Sequence, residues 1–257
     1  YRMAGGYARI ATLFEDARDE RPGQVLAFDC GDTIHGTYPA VQSEGEALIP
    51  VLNTLGFTAM TAHWEFAYGP EQFRKVARAL DYPVLADNCY DDATGDLIVP
   101  PYAGCETDDL QVGVTGIAAT IVDKVMPPSF SEGIHFTLGN AELPEHIARL
   151  RDDEGVDLVV VMSHLGFPGE VKLAREVEGI DILLSGHTHD RLFAPAIVND
   201  TIIIQSGCHG SFLGRLDLTV EDRRVTKFDH ELIVVDEGVR PEPGVEEMVE
   251  GIMEPHR

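Results

Sequence analysis

Lysine is scarce in this chain. Only four of its 257 residues are Lys, and Lys and Arg together number 19 against 44 Asp and Glu, for a formal net charge of -25. A surface of that sign repels nucleic acid and anionic membranes, so neither is an expected partner. The acidic residues are spread along the chain rather than gathered in a tail, which argues against a disordered acidic segment. A diffuse acid excess with few lysines resembles proteins that stay soluble in high salt, where screening removes self-repulsion. The expected setting is therefore the cytoplasm of a halophile, or the periplasm or exterior if an export signal precedes Tyr1.

Cysteine is also sparse. Cys30, Cys89, Cys105 and Cys208 show no C-x-x-C spacing, so no zinc knuckle or dithiol redox motif is indicated, and they read as buried free thiols. No apolar run approaches the roughly 18 residues that a membrane span needs. There is a single tryptophan, Trp64, and it stands in T-A-H-W-E-F-A-Y-G (61–69) beside a histidine at a strand end.

What the chain does have is alternation. Strand-like apolar runs at 24–29, 57–62, 83–87, 112–118, 158–163 and 181–185 are separated by amphipathic stretches at 46–55, 71–80, 142–151 and 171–177. This βα rhythm predicts an α/β fold, a sheet with helices on its faces. The final third differs: 201–206, 213–220 and 230–236 are strands without helices between them, and they predict an antiparallel extension. A closing helix is expected over 242–253.

Polar clusters follow four of these strands. Strand 24–29 ends in D-C-G-D-T, 57–62 in H-W-E, 158–163 in H-L-G and 181–185 in G-H-T-H-D. Open α/β sheets bind ligands outside the carboxyl ends of their strands. Adjacent strand ends would bring Asp32, His63, His164, His187 and His189 together, a set of imidazoles and one carboxylate that suits zinc, manganese or iron. G-H-T-H is the most specific element, because paired histidines at i and i+2 after a buried strand are rare without a metal. His135, His146, His230 and His256 read as surface or structural histidines. His35 and His209 lie in Gly-flanked loops at the same sheet end and join Trp64 and Asn88 as expected substrate-pocket residues.

In this order, G-D-T (31–33), H-W-E (63–65), S-H-L-G (163–166) and G-H-T-H-D (186–190) resemble the calcineurin-like metallophosphoesterases. More narrowly they are similar to the branch of the 5'-nucleotidases and the SoxB thiosulfohydrolases, as are G-G-Y-A-R (5–9) and G-S-F-L-G-R-L-D-L (210–218). The resemblance implies a four-layer α/β-β/α sandwich with up to two divalent metals (manganese, zinc or iron) at the sheet edge. It makes Asp32 the bridging carboxylate, His164 and His187 ligands of one metal, and His189 a ligand of the other. Asp32 and His63 are the expected catalytic residues.

Two departures qualify that pattern. Nucleotidases read Gly-Asn-His-Glu-Phe-Asp over the segment aligned with 62–67, where the His and final Asp form a catalytic pair. Here His63 replaces the Asn, Trp64 the His and Ala67 the Asp, so the pair is missing while a metal-binding nitrogen is kept. The His-Trp-Glu replacement resembles SoxB, which implies a thiosulfonate on a carrier protein as substrate in place of a nucleotide or other small phosphate ester. A non-catalytic scaffold with one structural metal is the third reading. The family's Asp-x-His motif lies upstream of the Gly-Gly match and has no counterpart here. Residues 1–240 are thus expected to form the metallophosphoesterase domain without its Asp-x-His strand. Residues 241–257 are expected to be a linker helix without the usual C-terminal substrate-binding domain. One metal is expected in the chain as it stands, held by Asp32, His63, His164 and His187.

Overall fold

The computed structural model describes residues 4–256. Residues 1–3 and 257, the outer ends of the expected domain and linker, lie outside the described residues.

Among the described residues twelve strands form the framework. They are β1 (Phe28–Asp29), β2 (Ala59–Met60), β3 (Cys89–Asp91), β4 (Tyr102–Glu106), β5 (Gln111–Ile117) and β6 (Ile134–Phe136). The second half adds β7 (Leu158–Ser163), β8 (Ile182–Ser185), β9 (Ala196–Val198), β10 (Thr201–Gln205), β11 (Phe212–Glu221) and β12 (Arg224–Val234). The largest sheet has the order β4-β5-β7-β8-β10-β9, with β5, β7, β8 and β10 parallel and the two edge strands antiparallel. Its inner strands are apolar on both faces; β7, L-V-V-V-M-S, is buried at every residue. Parallel strands covered on both sides read as continuous hydrophobic runs for this reason.

Four layers result. On one face of the large sheet, Leu143, Ile147, Leu173 and Ala174 from helices Leu143–Ala148 and Phe167–Glu176 pack on Val159, Val161 and Leu183. On the other, Val112, Val114, Val160 and Ile182 meet Ala59, Leu85, Phe28 and Leu216, so the parallel pair β1–β2 and the hairpin β11–β12 form a second sheet layer. Outside that layer, helices Tyr7–Glu20, Ile49–Leu55, Pro70–Ala79 and Pro243–Met253 close a further core around Phe14, Leu52, Phe73 and Val245. Among the described residues no helix is long and apolar enough to cross a membrane.

The structure corrects several expected elements. The run 201–206 is not part of an antiparallel extension: β10 lies in the large sheet, parallel to β8 with Ile203 opposite Leu183. Burial of all five of its residues explains why, since such a strand needs neighbours on both faces. The runs 24–29 and 57–62 contract to two-residue strands, and 83–87 contributes only a bridge from Val84 to Met60. The helix expected over 142–151 ends at Ala148 and continues as a π turn to Asp153. The antiparallel hairpin β11–β12 is present, and its E-D-R-R turn places Asp222 and Arg223 at φ 50° and 61°, the left-handed pair that a tight hairpin requires.

Candidate metal centre

β1, β2, β7 and β8 all end at one edge of the two facing sheets. Each passes directly into one of the polar clusters, at Asp32, His63, His164 and His187. One donor atom from each of these four residues falls within 4.8 Å of all the others. His63 Nδ1 lies 2.9 Å from Asp32 Oδ1 and 3.1 Å from His164 Nε2, and His164 Nε2 lies 3.2 Å from Asp32 Oδ2. The His187 ring stands edge-on to His63, with centroids 5.0 Å apart.

Local chemistry orients each donor. His164 Nδ1 donates to the Cys30 carbonyl, which leaves its Nε2 lone pair facing Asp32. Gly31 and Gly186 make room for this imidazole. A Cβ on Gly186 would lie 2.8 Å from His164 Nδ1 and one on Gly31 would lie 3.2 Å from it. Asp32 and His187 hold left-handed backbone, φ 64° and 70°, conformations that cost a non-glycine residue on the order of 1 kcal/mol or more. Strain of this kind persists only where surrounding contacts impose it.

Much of that imposition comes from Glu65, a buried carboxylate. Its Oε1 accepts from the Thr33 and Ile34 amides at 2.7 and 3.1 Å, and its Oε2 from the His63 and Asp32 amides at 2.8 and 3.3 Å. Glu65 thus ties the loop after β1 to the loop after β2. Gln205 does the same for the loop after β8: its Nε2 donates to Ser185 Oγ at 2.6 Å and to the Gly186 carbonyl. Glu170 lies beneath the loop after β7, accepting from the Gly166 amide at 3.2 Å. The sequence assigns none of the three a role, although Glu65 stands within the H-W-E motif. Their signal there is a lone polar residue among apolar neighbours, which marks a buried polar group but not its partners.

The electrostatics are those of a cation site. Burial opposes ionisation of Asp32, but hydrogen bonds and charge from His164 and His63 outweigh it and hold its carboxyl far below the usual range. Burial likewise opposes a charged His164, and Asp32 overrides it, raising that imidazole. Burial and the neighbouring His164 and His63 rings lower His187. His63 Nε2 is buried without a hydrogen-bond partner among the described residues. One carboxylate and three imidazoles, one donor atom from each, fit a divalent metal of borderline softness.

The other expected site residues divide. His189 does not join the four; its exposed ring stands edge-on to His209, with centroids 5.7 Å apart. Trp64, His35 and His209 line the same cavity of about 1320 Å³ as Asp32, His164 and His187. Asn88 does not line it. That side chain is buried, donating to the Ala118 and Thr137 carbonyls and accepting from the Ala118 amide, so its polar atoms are consumed in joining loops. Asn88 is therefore corrected from a pocket residue to a structural one.

No family model matches the chain. It is 27% identical over 263 residues to a 5'-nucleotidase of Vibrio parahaemolyticus, a match covering 90% of this chain and 47% of that protein. The sulfate thiohydrolase SoxB of Thermus thermophilus superposes with a TM-score of 0.93 at 30% identity, covering 98% of this chain and 47% of that one. A 5'-nucleotidase precursor of Thermus thermophilus shares the fold, with a TM-score of 0.88 at 23% identity, 99% of this chain and 54% of that one. The chain thus spans about half the length of the relatives it matches. These likenesses, which run over nearly the whole of this chain, support the resemblance to the calcineurin-like metallophosphoesterases, in the branch that holds the 5'-nucleotidases and SoxB.

Proposed function

We propose that this protein is a metal-dependent hydrolase of phosphate or sulfonate esters. The observation that carries the reading is the convergence of donors from Asp32, His63, His164 and His187 within 4.8 Å. Bound there, a divalent cation such as manganese, zinc or iron would supply Lewis acidity toward the ester oxygens and acidify a coordinated water. The residues do the rest. Asp32 and the three histidines hold the cation, and the Cys30 carbonyl fixes the His164 tautomer. Positive charge at this edge also answers the problem that a chain of net charge -25 has with an anionic substrate. Exchange of His187 for Ala tests the centre: metal content and hydrolysis should both be lost, and full activity in a metal-depleted variant would refute it.

A second reading has its own support. Trp64 offers an apolar wall with one N–H donor and cannot transfer a proton to a leaving group. With Ala67 it stands where nucleotidases carry their catalytic pair, and the Thermus SoxB is a structural neighbour at 30% identity. Both features favour a thiosulfonate carried on a partner protein over a small nucleotide. Assays of 5'-AMP, a cyclic nucleotide and a thiosulfonate, each with added manganese, separate the two. Turnover of the thiosulfonate alone selects the second reading, and turnover of a nucleotide selects the first.

A further inference from the structure

The segment 63–68 has no imidazole beside Trp64 other than the metal-facing His63, yet a second one reaches Trp64 from another loop. His35 stacks on the indole with ring centroids 4.6 Å apart and planes 21° apart. Tyr68 flanks the same imidazole at 5.9 Å. The stack has a rigid base. Tyr68 Oη donates to the Ile34 carbonyl at 3.0 Å, while the Thr33 and Ile34 amides donate to Glu65. The Trp64 amide in turn donates to Asp32 Oδ1 at 3.1 Å. His35 is half-buried, lines the cavity shared by Asp32, His164 and His187, and forms no side-chain hydrogen bond among the described residues.

We propose that His35, held flat against Trp64, is the proton donor to the leaving group of a phosphate ester. The proposal rests on the ester-hydrolase reading above. In the step, a water-derived oxygen bonds to phosphorus as the bond from phosphorus to the leaving oxygen breaks. The departing alkoxide takes the proton of the His35 imidazolium and leaves as an alcohol. The neutral imidazole regains a proton from solvent, which also receives the proton lost by the attacking water. A basic alkoxide needs this donor; 4-nitrophenolate, a stable anion, does not.

The ring's titratable surroundings are few. Tyr68 is pushed up to about 12 by burial together with Glu65 and Glu44, and so stays neutral. The Asp32 carboxylate is turned toward His63 and His164. His63 lies on Trp64 as well, at 5.7 Å and 49°.

Two measurements test the proposal. In manganese-loaded enzyme, His35→Gln and His35→Phe should each lower kcat/KM for methyl phosphate by about 100-fold or more, while 4-nitrophenyl phosphate changes by no more than roughly threefold. Phe preserves a stacked ring without a proton, so full activity of that variant on methyl phosphate would overturn the proposal. Equal losses on both esters, or none on either, would overturn it too. The second measurement needs no turnover. Trp64 is the chain's single tryptophan, so the fluorescence of metal-free protein reports this stack directly. An imidazole stacked on the indole quenches it, so the emission of His35→Gln should exceed that of wild type at the same pH. Identical emission in the two means that the stack is not formed in solution and ends the proposal. Wild-type enzyme inactive on both phosphate esters but active on a thiosulfonate would end this proposal and leave the hydrolase reading standing, whereas inactivity on all three would refute the hydrolase reading itself.

Discussion

His63 Nδ1 and His164 Nε2 lie 3.1 Å apart, although 101 positions separate the two residues in the chain. Both nitrogens also contact the Asp32 carboxylate, at 2.9 and 3.2 Å. Two imidazole lone pairs at that separation repel unless a cation stands between or beside them. Without a metal, a proton on His164 would relieve that repulsion, the direction in which the hydrogen bond and charge of Asp32 drive this imidazole against its burial.

Metal and proton therefore compete. His164 is raised and Asp32 lowered, so on acidification it is the histidine that takes up a proton, while Asp32 remains ionised. Manganese affinity should fall about tenfold per pH unit below the His164 midpoint, for one displaced proton. Calorimetric titration in buffers of different ionisation enthalpy checks this. A pH-independent affinity with no proton release would contradict it.

Gly186 sets how closely β8 approaches His164. In Gly186→Ala the new methyl would meet His164 Nδ1 at 2.8 Å and the Cys30 carbonyl at 3.1 Å, displacing the imidazole from its orienting acceptor. Metal affinity should drop about 10- to 100-fold, the usual effect of disturbing a ligand's supporting contact. Equilibrium dialysis with elemental analysis gives the ratio, and wild-type affinity in the variant would show that the Cys30 contact does not orient His164.

Glu65 accepts four backbone amides with two oxygens. Glu65→Gln replaces one oxygen by an amide group that faces N–H donors. The cost should be about 2–4 kcal/mol, the range for breaking charge-assisted bonds and stranding buried donors. Urea unfolding of metal-free protein measures it. A loss below about 0.5 kcal/mol would mean that the two loops hold their shape by other means.

Glu170 yields a pH-dependent prediction. Burial pushes its carboxyl from 4.5 up to about 7, against hydrogen bonds from Ser185, Ser163 and Gly166. The native state then binds this proton more tightly than the unfolded chain does. Its contribution to stability is full below about pH 4.5 and is lost as pH rises toward 7. Glu170→Gln, which cannot ionise, should match wild type near pH 4.5 and be more stable by about 2–3 kcal/mol at pH 8. Thermal unfolding at the two pH values decides it; equal differences at both would rule out titration of Glu170 as the cause.

How far the sequence could be read follows from the range of each interaction. β7 was expected over 158–163 and spans those residues, while β8 was expected over 181–185 and spans Ile182–Ser185. Both are continuous apolar runs whose burial is written in the residues themselves. The two shortest strands were overestimated because a strand's length depends on partners, and among the described residues β1 pairs only with β2. Asn88 was expected in the substrate pocket, yet its amide is taken up by Ala118 and Thr137. His189 shares its motif with His187 but lies outside the four-donor group; its ring meets that of His209, and both line the cavity that the donors share.

The chain alone determined which strands exist and which polar residues end them, because side-chain burial and backbone propensity act over a few neighbours. Folding decided which of those ends meet. The 4.8 Å grouping, the Glu65 tie between two loops and the His35–Trp64 stack each join residues about 30 or more positions apart, or rest on contacts across two sheets. Such distances are set by layer spacing and loop geometry, which no local pattern encodes.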